Sequence, residues 1–162
     1  MSDGVRPWRE SPVGGHGVAV GCVLTVHGDA AAFVSDVVAG LRGAHFREDE
    51  APAAGVHVLR RGSLVADTLL TGTGLAALAS RLGPLSLRAT VVVESLAQQD
   101  GAVRVVLAMV AGDALAPEIA AAVDPVIARY GDIVTGPGWM RAVDVPTESR
   151  AHPRTAQQSG VR

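Results

Sequence analysis

LSLRATVVVESLAQQDGAVRVVLAMVA, residues 85–111, decides the fold. Two apolar, β-branched runs flank a polar stretch ending in Asp100-Gly101, the composition of a hairpin. Two registers compete. A four-residue loop, Gln98 to Gly101, sets Glu94 beside Val105 and Leu107. A three-residue loop, Gln99-Asp100-Gly101, shifts the pairing by one residue. Leu87, Ala89, Val91 and Val93 then share a face with Val103, Val105, Leu107 and Met109. Arg88, Thr90, Glu94 and Arg104 fall together on the other, where Glu94 and Arg104 are expected to form an exposed ion pair. Register follows the buried pattern, and Asp-Gly suits a three-residue loop with a left-handed glycine, so the second register is expected.

Upstream, Val18 to Val26 predicts a strand whose better core face is Val18, Val20, Cys22, Leu24 and Val26. Gly28-Asp29 ends it and opens a helix, with Asp29 as the N-cap. Phe33, Val34, Val37, Val38 and Leu41 make that helix's apolar stripe and Gly43 closes it. His45 to Gly55 is a polar loop. Val56–Arg60 and Ser63–Leu70 around Arg61-Gly62 predict another hairpin, with His57 and Asp67 on opposite faces and neither face cleanly apolar. Gly74 to Leu82 fits a short helix.

Downstream, Asp113 to Tyr130 predicts the last helix, with Leu115, Ile119, Val123, Val126 and Ile127 as its stripe. Pro117 is tolerable in the first turn, whereas Pro125 should kink or end the helix, Asp124-Pro125 then capping a second short one. Gly136-Pro137-Gly138 reads as a loop, and Trp139 to Val145 as a final strand or a segment packed on the core. Three regions follow: a loose N-terminal arm over 1–16, one α+β domain over 17–145, and a disordered C-terminal tail over 146–162.

The element order is β-α-β-β-(α)-β-β-α, about five strands in an antiparallel sheet with helices on one face. From about Val18 to Tyr130 this order is similar to helix-grip (START-like) domains, where a C-terminal helix closes over a curved sheet, and partly to the ferredoxin-like plan. The helix-grip resemblance implies a space between sheet and last helix that can hold an apolar small molecule. Its lining would be Val91, Val93, Val105, Leu107 and Met109 facing Ile119, Val123 and Ile127.

Composition narrows the chemistry. Net charge is −2 over 162 residues, which argues against a nucleic-acid footprint. All basic side chains are arginine, so lysine Schiff-base and P-loop chemistry are absent. The lack of lysine and asparagine beside abundant Ala, Val, Gly and Arg resembles the product of a GC-rich bacterial genome. Cys22 is the single cysteine, on a core face. Apolar runs are too short to span a bilayer and no leader is evident, so a cytoplasmic location is expected. Apolar residues reach 48% with only 3% aromatic, so small aliphatics carry the core. If they line both sheet faces, one face needs a second cover, which a homo-oligomer would supply.

His57, Asp67 and Glu94 are the weak acid–base candidates, and no convergent catalytic set accompanies them. His45 with Glu48, Asp49 and Glu50 carries ligand types without a metal-site spacing, so no metal and no cofactor is assigned. The expectation is a non-enzymatic accessory or binding domain, oligomeric, acting through its sheet face or an apolar cavity. The alternatives are a helix-grip enzyme of cyclase or hydratase type on an apolar substrate, and a ferredoxin-like small-ligand sensor.

Overall fold

The computed structural model describes residues 5, 8, 18–62, 88–112 and 115–161. Its strands are β1 (Val20–Val26), β2 (Arg47–Glu48), β3 (Val56–Arg61), β4 (Ala89–Ala97), β5 (Val103–Ala111) and β6 (Val134–Arg141). They form one antiparallel sheet in the order β2-β3-β4-β5-β1-β6. Helices α1 (Ala30–Gly43) and α2 (Ala116–Arg129) lie on one face and a short α3 (Pro153–Gln158) on the other. The class is α+β as expected, with six strands among the described residues and with helices on both faces rather than one.

The β4–β5 register is the one the apolar pattern selects. Val91 pairs with Met109, Val93 with Leu107, and the Gln98 N–H donates to the Ala102 carbonyl at 2.9 Å. Gln99-Asp100-Gly101 is therefore the loop, with Gly101 at φ +82°. The register slips once, between Thr90 and Val91, where β5 carries an extra residue.

Helix α1 starts where expected: the Asp29 carboxylate accepts the Ala32 N–H at 2.9 Å. Its stripe of Phe33, Val34, Val37, Val38 and Leu41 is buried. At Gly40 the two long helices touch; a Cβ there would sit 2.7 Å from the Ala122 carbonyl oxygen. Helix α2 spans Ala116–Arg129 and continues through Pro125, so the expected stop there does not occur. Proline has no N–H, so the Ala121 carbonyl lacks its partner one turn later. Packing of Ile119, Val123, Val126 and Ile127 against the sheet holds the helix through that defect.

The opposite sheet face carries Val23, Val56, Val58, Val92, Val106 and Ala108, all buried. Their cover combines the end of the segment expected to pack on the core with most of the 146–162 stretch expected to be a disordered tail. Residues 142–161 cross this face, placing Ala142, Val145, Ala151 and Ala156 against those valines. Glu94, expected beside Arg104 on an exposed face, is buried there and accepts from Ser149 Oγ at 2.6 Å and from the Arg150 N–H at 2.8 Å. Two hydrogen bonds from the segment to one buried carboxylate fix a stretch that has few large apolar residues. The aliphatic surplus that suggested a homo-oligomer is thus covered within the chain.

Three further expectations change. The His45–Gly55 loop contains β2 and buries Phe46. The partners of β3 are β4 and β2, and both of its faces are buried, at Leu59 and at Val56 and Val58. The second arm of the expected 56–70 hairpin and the 74–82 helix lie outside the described residues. Gly136-Pro137-Gly138 is part of β6, not a loop, and β1 shifts register opposite it. Gly136 sits at φ +123° against the β1 backbone, where a side chain does not fit.

Candidate functional site: a groove on the outer side of the second long helix

Two tryptophans from distant parts of the chain meet at one aspartate. The Trp8 backbone N–H donates to Asp124 Oδ2 at 2.8 Å, and the Trp139 indole Nε1 donates to Asp124 Oδ1 at 2.7 Å. The two rings pack edge to face with centroids 5.6 Å apart. Trp8, within the stretch expected to be a loose arm, thus packs on the domain and is 8% exposed. Asp124 does not cap a second helix; it lies within α2 and ties the arm and β6 to it. Its charge, after burial itself, helps push the Cys22 thiol far up, so this cysteine is a neutral core residue.

Beside this junction lies a half-open groove of about 560 Å³. Pro117, Ala121, Pro125 and Ala128 of α2 form its floor, and Val5 and Trp8 form a wall. Its shape follows from residue size. Alanines and prolines on that side of α2 leave space that larger side chains would fill, and the arm converts the space into a groove. Asp124 contributes the carboxylate.

The ligand site expected between sheet and helix is occupied by side chains. Val91, Val93, Val105, Leu107, Met109, Ile119, Val123 and Ile127 all belong to the main core cluster, none more than 6% exposed. Only Ile127 also reaches the groove.

The acid–base candidates are not brought together. His57 lies on the helix-covered face near the β2 edge, and its Nδ1 meets Glu48 Oε1 at 2.6 Å. Arg42 holds the same carboxylate. The hydrogen bond from His57, outweighing burial, keeps the Glu48 carboxyl below its ordinary range, with the His57 and Arg42 charges adding to it. Glu94 is on the opposite face beneath residues 149–150, and Asp67 lies outside the described residues. Glu48 and Asp49 turn to Arg42, His57 and Arg60 rather than to His45. Among the described residues no group of three metal-ligating side chains converges.

Sequence reasoning missed the groove. Its separate signals were present: Asp124-Pro125 as a disturbance in a helix, and Trp139 as a segment packed on the core. Nothing in the spacing of Trp8, Asp124 and Trp139 announces that they meet. Set against known protein families, curated proteins and solved structures, the chain matches none. Among the described residues no helix is long and apolar enough to cross a membrane.

Proposed function

We propose that the protein is a non-enzymatic binding domain whose ligand is a small, largely apolar molecule held in the groove between α2 and the N-terminal arm. The groove itself carries this reading. Its volume of about 560 Å³ falls within the usual range for small-molecule sites. Its described walls are mostly Val, Ala, Pro and Trp with one charged group among them, a mixture of apolar lining and an orienting polar contact. The separation of His57 from Glu94 favours binding over acid–base catalysis. The site originally expected under α2 is moved to its outer side, and the ligand class is kept.

The test is native mass spectrometry of the full chain purified from its own host. An adduct of small-molecule mass is expected on the unaltered protein and absent from Ala121→Phe, which fills the groove at an exposed helix position. An adduct that survives Ala121→Phe unchanged would overturn the assignment.

A further inference from the structure

Among the described residues that line the groove, Asp124 is the only ionisable side chain. Its two oxygens each accept one neutral N–H, from Trp8 and Trp139, and among the described residues no cation pairs with it. A carboxylate offers about four acceptor sites, so roughly two remain beyond these partners, and among the described residues no cation balances its charge. The second polar feature is also an acceptor. Pro125 cannot donate to the Ala121 carbonyl, and both residues line the groove. Trp8, in the facing wall, adds an indole, the ring whose face best attracts an ammonium group.

We infer, building on the binding reading above, that the ligand is an amine: an ammonium group directed at Asp124 and carried on an apolar body that fills the groove over Ala121, Pro125 and Ala128. An ammonium brings three donors and no acceptor, which answers a carboxylate beside a carbonyl that Pro125 leaves without its usual helical donor. A carboxylate or phosphate ligand would meet Asp124 with like charge. A neutral alcohol would fill the apolar part and leave the charge unanswered. Asp124 thus does two things: it pins the arm that forms the wall, and it selects the charge of what lies behind it.

The experiment uses three probes of equal chain length: octylamine, octanol and octanoate. Trp8 and Trp139 are the only tryptophans and both touch Asp124, so intrinsic fluorescence of the full chain reports on the site directly. Octylamine is expected to bind about tenfold tighter than octanol, in keeping with a charge-assisted hydrogen bond, and octanoate weakest of the three. The amine-to-alcohol ratio should shrink as sodium chloride is raised, because the discriminating contact is ionic. In Asp124→Asn the ratio should fall to about twofold or less while octanol still binds. The salt series on the unaltered protein keeps the question open to refutation if Asp124→Asn loosens the arm. Equal binding of octylamine and octanol would overturn the amine assignment and leave the apolar binding domain standing. Failure of all three probes to change the fluorescence would remove both.

Discussion

The two sides of α2 are built from one run of sequence and behave as opposites. Toward the sheet, Ile119, Val123 and Ile127 interlock with Val91, Val93 and Leu107 and leave no residue more than 6% exposed. Away from the sheet, Pro117, Ala121, Pro125 and Ala128 leave a groove of about 560 Å³. The difference lies in side-chain volume and not in hydrophobicity, since both sides are apolar. A helix-covered sheet therefore does not imply a cavity beneath the helix. Large branched residues close that space, and small ones on the far side open another wherever a second segment, here the arm at Trp8, supplies a wall.

That contrast can be broken or sharpened by substitution. The largest effect is expected on the inner side. Ile119→Ala should cost about 2–5 kcal/mol in chemical denaturation, because it empties a fully buried site. The remaining folded protein should bind octanol unchanged. On the outer side Pro125→Ala should have the reverse sign. Restoring the N–H to Ala121 removes a helix defect of about 3 kcal/mol, offset by about 1 kcal/mol of added unfolded-state freedom. A gain of about 2 kcal/mol is expected, read as a raised midpoint, together with weaker amine preference. A control distant from both sides is Glu94→Ala. It strands the Ser149 hydroxyl and the Arg150 N–H, which should cost about 1–3 kcal/mol. Hydrogen exchange should then quicken over 145–161 while α2 and the groove keep their protection. The smallest effect concerns pH. The folded Glu48 carboxyl titrates below its unfolded value because of the His57 hydrogen bond. Its contribution is complete above the unfolded carboxylate value and is lost as pH falls through the lowered folded one. His57→Ala should flatten that acid limb, visible as a smaller drop in stability between neutral and acid pH.

What was legible in the sequence follows the same logic of size and period. The β4–β5 register could be settled on paper because only one pairing puts Val91, Val93, Leu107 and Met109 together. Helix α1 was legible because Asp29 and five apolar residues repeat the pattern of a capped, half-buried helix. The cover of the opposite face was not. Residues 142–161 carry no period, and their hold rests on small residues and on Glu94, whose charge reads as exposure until its two donors are seen. The surplus of small aliphatics raised a cover for both faces only as a condition, while the expected exposed pair of Glu94 and Arg104 pointed the other way. Neither could state that the cover comes from the same chain. The groove was the least legible part, because Trp8, Asp124 and Trp139 meet across separations that no local pattern encodes.

The most direct test of where a ligand lies is methyl NMR of the full chain titrated with octanol. Shifts are expected at Ala121, Ala128, Ile127 and Val5, with Val93, Leu107 and Ile119 unmoved. Shifts at Val93, Leu107 and Ile119 with Ala121 and Ala128 silent would place the ligand beneath α2 and contradict the account.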